Sequence, residues 1–101
     1  MPYNGGPMTE AMYYVLLALT NPGHGYRLMN AISEISGGRV SMGPGTLYGV
    51  LTRMQKDGLI IIAEDDGRRK THAITDSGKS ALKEEYNRLK AMVSDGAIID
   101  E

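Results

Sequence analysis

The sequence holds no cysteine, no tryptophan and no phenylalanine among its 101 residues. Without cysteine there is neither a disulfide nor a thiolate metal site, which suits a reducing cytosol. Without Trp and Phe, the interior must be built from Leu, Ile, Val, Met and the six tyrosines. Net charge is also slight: 11 Lys and Arg stand against 12 Asp and Glu, a balance of −1 that speaks against indiscriminate adhesion to polyanions. The longest apolar run, residues 13–19, is far too short to cross a bilayer. Residues 1–7 lack the basic start of a secretory signal. A soluble, cytoplasmic protein is expected. Its length suits one domain, with a core small enough that an oligomer interface would supplement it.

What is present is punctuated by helix breakers. Residues 1–7 hold two Gly and two Pro and read as a flexible arm. Thr9 suits the N-cap of a first helix that runs to Leu19 or Thr20 and stops at Asn21-Pro22-Gly23. A second helix is expected from near His24 to Gly37-Gly38, with Leu28, Ile32 and Ile35 on one face. Residues 39–42 read as a short strand or extended connector. Pro44 suits the first turn of a third helix, which should end at Gly58. Residues 59–64 read as a strand, Asp66-Gly67 as a hairpin turn, and residues 70–74 as the returning strand. Thr75 should cap a fourth helix, with Asp76 in its first turn and an end near Ser94, leaving residues 96–101 as a frayed tail. This order predicts a mainly α protein with a small β-hairpin: a winged helix-turn-helix over residues 8–75 and a C-terminal dimerisation helix over 76–95.

Two helices carry more apolar surface than one small domain needs. In the first, Met12, Val15, Leu16, Leu17, Ala18 and Leu19 spread round most of the circumference. In the fourth, Leu82, Tyr86, Leu89 and Val93 form a stripe, with Glu84, Glu85, Arg88 and Lys90 expected in solvent. A second copy is the simplest cover, giving a homodimer interface of Met12, Leu16, Leu82, Tyr86, Leu89 and Val93. Met8, Met12 and Met92, with Tyr86, could there receive a small apolar or aromatic effector, since Met adapts to varied shapes. Plain core filling is the competing account of the methionines.

The third helix is two-faced. Leu47, Val50, Leu51 and Met54 share an inward arc, opposite Gly45, Gly49, Thr52 and Lys56, with Tyr48 and Arg53 on the flanks. Small side chains let a helix sink into a major groove, where Thr, Tyr and Arg read base edges or grip phosphate. Free N–H groups near Gly45 and Thr46 can also accept phosphate oxygens. Beyond the hairpin turn, Arg68, Arg69 and Lys70 would project together onto the backbone of double-stranded DNA. Residues 39–70 carry a local charge of +2, against −2 over residues 71–101. The competing reading is a winged-helix protein-interaction module without DNA binding, favoured by Glu64-Asp65-Asp66 beside the wing. No enzyme, cofactor or metal is indicated. His24 and His72 are far apart, Gly43-Pro44-Gly45-Thr46 lacks the Gly-Lys-Ser/Thr ending of a phosphate loop, and nothing proposes a nucleophile.

Several segments together resemble a known family. Thr9-Glu10, the apolar run 13–19, Pro22-Gly23-His24-Gly25-Tyr26, Gly37-Gly38-Arg39-Val40, Pro44-Gly45-Thr46-Leu47-Tyr48, Asp57-Gly58-Leu59-Ile60, Gly67-Arg68-Arg69-Lys70 and Ile74 before Thr75-Asp76-Ser77-Gly78 look like a PadR-like transcriptional regulator. The likeness covers roughly residues 8–94 and is to the short branch with one C-terminal helix. It implies a homodimeric winged-helix repressor of a pseudo-palindromic operator, often released by a small molecule and paired through its first and last helices. Thr46 and Tyr48 match the recognition-helix motif of that family, and Arg68 and Arg69 its basic wing. Departures are Thr71 and His72, where two aromatics are frequent, and Gly43, where a polar cap is common. The last helix has no Trp, so the aromatic drug-stacking pocket of some relatives is not implied.

Overall fold

The computed structural model describes residues 5–101. Four helices and one hairpin follow in order: α1 (Glu10–Ala18), α2 (Gly25–Ile35), α3 (Pro44–Lys56), β1 (Ile60–Asp65), β2 (Lys70–Ile74) and α4 (Asp76–Asp95), then a 3-10 helix, Gly96–Asp100. The helix boundaries follow local chemistry. Thr9 Oγ1 accepts the Met12 N–H (3.1 Å) and opens α1, while Thr75 Oγ1 accepts the Gly78 N–H (3.0 Å) and opens α4. Pro44 occupies the first turn of α3. That helix ends in a Schellman pair, with Leu59 N–H donating to Met54 O (3.0 Å) and Gly58 N–H to Gln55 O (3.1 Å). The motif needs a left-handed residue between them, and Gly58 supplies it at φ +78°.

α1 lies between α2, α3 and α4, which explains its apolar circumference: Val15, Leu16 and Leu19 have no exposed surface. Leu28 and Ile32 from α2, Leu47, Leu51 and Met54 from α3, and Leu59 and Ile60 complete the core. Residues 39–43 form no strand. They are an extended connector that buries Val40 and Met42 while exposing Arg39 and Ser41.

β1 and β2 pair antiparallel from Ile60 opposite Ile74 to Asp65 opposite Lys70, with a bulge at Ala63. The hairpin is wider at its tip than the Asp66-Gly67 signal suggested, because Asp66 N–H donates to Arg69 O (3.2 Å) and residues 66–69 close the turn. The base of the wing is fastened twice. Gly23 and His72 exchange backbone hydrogen bonds of 3.1 and 2.8 Å, and Thr75 bonds the carbonyls of Leu59 and Gly58 at 3.0 and 2.7 Å.

Three expectations need correction. Leu16 is wholly enclosed by its own protomer and offers no surface to a partner, while Leu82 is 9% exposed and shows only an edge, in the groove between α1 and α4. Glu85 is not solvated but 5% exposed, its carboxylate accepting the Met8 N–H (3.1 Å) and held by Arg88 (2.7 and 2.6 Å). The tail is an ordered 3-10 helix. Of the expected arm, residues 1–4 lie outside the described residues, Gly5 and Pro7 are exposed, and the chain is first buried at Met8, just past it.

Candidate nucleic-acid interface

The outer face of α3 carries every residue expected there. Gly45, Thr46, Tyr48, Gly49, Thr52, Arg53 and Lys56 are all exposed, while Leu47, Leu51 and Met54 anchor the helix from behind. Local bonds refine two of them. Thr52 Oγ1 donates to the Tyr48 carbonyl (2.8 Å), so it meets a ligand as an acceptor beside its methyl group. Arg53 leans on Asp57 (3.6 Å) while remaining largely exposed, an i,i+4 pair of little intrinsic strength that leaves the guanidinium available.

The wing tip is built by its acids. Asp66 Oδ1 accepts the N–H groups of Arg68 (2.9 Å) and Arg69 (2.7 Å), and Asp65 Oδ1 accepts that of Gly67 (2.9 Å). Those backbone hydrogen bonds, aided by the nearby Arg69 charge, hold the Asp66 carboxyl below the usual carboxylate range. Its oxygen therefore folds the turn, and the cationic heads remain outside it. Among the described residues, Arg68, Arg69 and Lys70 enter no ion pair.

These elements converge on one cleft of about 470 Å³, lined by His24, Gly25 and Tyr26 at the start of α2, Tyr48 of α3, and Asp65, Gly67, Arg68, Arg69 and Lys70 of the wing. Tyr48 lies across the first residue of α2, and a Cβ on Gly25 would collide with its hydroxyl and stand 2.8 Å from Cζ. The first turn of α2 receives no side-chain cap from His24, and Gly25 and Tyr26 line the cleft beside the cations. Tyr26, 71% exposed, is the residue that reasoning from the sequence left out. Its signal was available in His24-Gly25-Tyr26, a helix start with an aromatic next to a glycine.

His72 holds wing and α2 in register from beneath. It is 5% exposed, its backbone pairs with Gly23, and its Nδ1 has no partner. Burial depresses its pKa, with the Lys70 charge acting in the same direction and a hydrogen bond with the Lys70 backbone opposing it.

The expected effector residues do not share one site. Tyr86 lines an apolar groove of about 370 Å³ between α1 and α4 with Tyr13, Leu17, Ile74 and Leu82, edged by Thr20, Lys79 and Lys83. Met8 lies instead under the Glu85–Arg88 pair, Met92 takes an Arg88 N–H on its sulfur (3.0 Å), and Met12 is half-buried, lining neither this groove nor the one beside Met8. Burial, then the neighbouring Tyr86, raises the Tyr13 pKa, and the Tyr13 ring meets Tyr14 edge-on at 5.9 Å. Among the described residues no acid, His or Cys cluster could hold a metal ion, and no helix is long and apolar enough to cross a membrane.

A helical core, a two-faced third helix and a basic two-stranded wing define a winged helix-turn-helix protein, here extended by one C-terminal helix. The model of the Transcriptional regulator PadR-like family matches residues 15–84, and the chain belongs to that family. That family is one of transcriptional regulators. Over 78 residues it is 38% identical to the transcriptional regulator Rv3488 of Mycobacterium tuberculosis, covering 74% of this chain and 70% of that protein. A 37.1 kDa protein in a transposon of Streptomyces fradiae is 38% identical over 96 residues, which are 91% of this chain and only 27% of that protein. The chain thus spans about a quarter of the length of the Streptomyces relative. A PadR family transcriptional regulator from Eggerthella lenta has the same fold, with a TM-score of 0.73 at 25% identity over 88% of this chain and 76% of that one.

Proposed function

We propose that this protein is a homodimeric cytoplasmic repressor of a pseudo-palindromic operator. Each subunit lays α3 in a major groove, with Thr46, Tyr48, Thr52, Arg53 and Lys56 toward bases and phosphates, and rests Arg68, Arg69 and Lys70 on the flanking backbone. The carrying observation is the cleft in which those wing cations face Tyr48 and the uncapped start of α2. One strand's phosphates running through it would meet charge, hydroxyls and N–H groups together. The acids that favour a protein-interaction module have a structural role beside their charge, since Asp65 and Asp66 accept backbone N–H groups of the turn. A small apolar or aromatic molecule entering the α1/α4 groove between subunits would alter the spacing of the two α3 helices and release the operator.

The test is Arg68→Ala with Arg69→Ala, assayed on DNA selected from a random pool by the wild-type protein. Losing two phosphate contacts per subunit should flatten the logarithmic salt dependence by roughly 1 for each contact. Both side chains are exposed, so stability should stay within about 0.5 kcal/mol of wild type. Unchanged affinity with an unchanged salt slope would remove the wing from the interface.

A further inference from the structure

Among the described residues, the backbone of the wing meets that of the α1–α2 connector at one bridge. His72 N–H donates to Gly23 O (2.8 Å) and Gly23 N–H donates to His72 O (3.1 Å), outside the hairpin ladder itself. From this bridge the chain runs one way into His24, Gly25 and Tyr26, and the other way into Lys70, Arg69 and Arg68. Those two stretches are opposite walls of the cleft. The separation of the cleft walls is therefore set where His72 sits.

The surroundings of the ring suit only its neutral form. His72 is 5% exposed, and its Nδ1 has no hydrogen-bond partner among the described residues. A neutral ring can leave a bare lone pair there. A protonated ring would leave an N–H without an acceptor and a buried positive charge, the less favourable of the two. Lys70, two residues along the same strand, acts against a proton on the ring, while a hydrogen bond with the Lys70 backbone favours one. Across the ladder stands Ile62; Glu64 pairs with Thr71 on the other face, and Asp65, opposite Lys70, accepts the Gly67 N–H. On the α2 side Gly23 has no side chain, Arg27 passes beside it, and His24 lines the cleft with Tyr48 of α3. Where α4 meets β2, Lys79 lines a groove with Ile74. Among the described residues no carboxylate forms an ion pair with the imidazole.

We propose that His72 is a positioning residue for DNA binding and makes that binding proton-sensitive: the neutral ring clamps the wing to α2, and the protonated ring turns out to water, parts the bridge and spreads the cleft. The proposal rests on the reading of the cleft as a phosphate site. Its sign is opposite to the ordinary one. Protonating a histidine beside a phosphate, as at His24, strengthens DNA binding, whereas protonating His72 weakens it. Burial, with the Lys70 charge acting in the same direction, depresses the ring's pKa, so the loss of affinity sets in below the ordinary imidazole value.

The test is affinity for DNA selected from a random pool by the wild-type protein, measured at fixed salt at pH 7.5 and 5.5. His24→Gln is carried in every chain to remove the opposing proton. With His72 present, affinity should fall several-fold on acidification. His72→Phe keeps a ring in the buried place but takes up no proton, so its affinity should stay level. Affinity that is flat or rises with His72 present, or a fall undiminished in His72→Phe, would overturn the proton coupling while sparing the phosphate reading of the cleft. A wild-type protein that selects no DNA at pH 7.5 would overturn that reading and the coupling with it. Hydrogen exchange in the wild-type protein tests the clamp without substitution. Protection of the Gly23 and His72 amides should fall at pH 5.5 while that of Leu16 and Leu51 persists. Protection at Gly23 and His72 that is unchanged, or lost only together with the core, would also overturn the release of the wing.

Discussion

Gly25→Ala separates the stability of the fold from the working geometry of its interface. The backbone of Gly25 is helical with a negative φ, so alanine is compatible with α2 and by propensity alone stabilises it by up to about 1 kcal/mol. The new methyl group, however, would collide with the Tyr48 hydroxyl. Cζ, 2.8 Å away, must retreat to ordinary contact at 3.4–4 Å, and the hydroxyl must travel farther. Tyr48 is half-exposed and can swing into water, at a rotamer cost of about 0.5–1.5 kcal/mol. The two terms nearly cancel, so denaturant unfolding should place Gly25→Ala within about 1 kcal/mol of wild type. DNA affinity should behave otherwise. A displaced hydroxyl forfeits a hydrogen bond to charged phosphate worth about 1.5–3 kcal/mol, roughly 10- to 150-fold per half-site. Tyr48→Phe should lose a comparable factor, and the double variant should lose little more, since both changes remove one contact. Fluorescence anisotropy on a selected DNA site measures all three. Wild-type affinity in a folded Gly25→Ala protein would refute the placement of Tyr48 at the interface.

Asp66 sets two effects against each other. Asp66→Ala removes a negative charge beside the wing but frees the Arg68 and Arg69 N–H groups, and the disordered tip should weaken DNA binding; Asp66→Asn keeps the acceptor and should bind as tightly as wild type or tighter. Tighter binding by Asp66→Ala would mean that the acid only offsets the wing's charge. His72 gives a pH signature. Its folded pKa lies below the unfolded value near 6.5, so the unfolded chain binds more protons and stability should fall as pH drops through that value, levelling once the folded pKa is passed. Unfolding curves at pH 7.5 and 5.5 should show the loss, and His72→Gln should remove this contribution to the slope. Glu85 behaves oppositely in origin: hydrogen bonds from Arg88, then from the Met8 N–H, hold its pKa down against the cost of burial. That stabilisation is present above the unfolded carboxyl pKa and is lost as pH falls through the folded one. Glu85→Leu should cost about 1–3 kcal/mol by leaving the Met8 N–H without its carboxylate acceptor and removing the Glu85–Arg88 pair, and thermal unfolding at neutral pH would show it.

The parts of this fold legible in the sequence are those fixed by neighbours along the chain. Thr9, Pro44, Gly58 and Thr75 act on backbone groups within a few residues, so the starts of α1, α3 and α4 and the end of α3 could be read directly. The outer face of α3 was equally readable, because a period of 3.6 residues leaves Gly45, Tyr48, Gly49 and Thr52 no other side once Leu47, Leu51 and Met54 turn inward. Glu85 shows where charge misleads. It stands three residues after Leu82 and four before Leu89, so the same period places it in the buried stripe, yet its carboxylate suggested solvent; its partners Met8 and Arg88 make the buried position tolerable. The wing acids misled for a related reason, since Coulomb counting treats Asp66 as an opposing charge and cannot show that its oxygen is already committed to backbone N–H groups. Apolar excess on α1 and α4 is the harder case. Periodicity reports that Leu16, Leu82, Tyr86 and Val93 want burial, but not whether their own subunit or a second one provides it. The protomer takes Leu16 and all but an edge of Leu82 for itself and leaves Tyr86 and Val93 half or more exposed, moving the candidate seam outward along α4 toward the tail. Burial divides that surface where hydrophobicity alone could not.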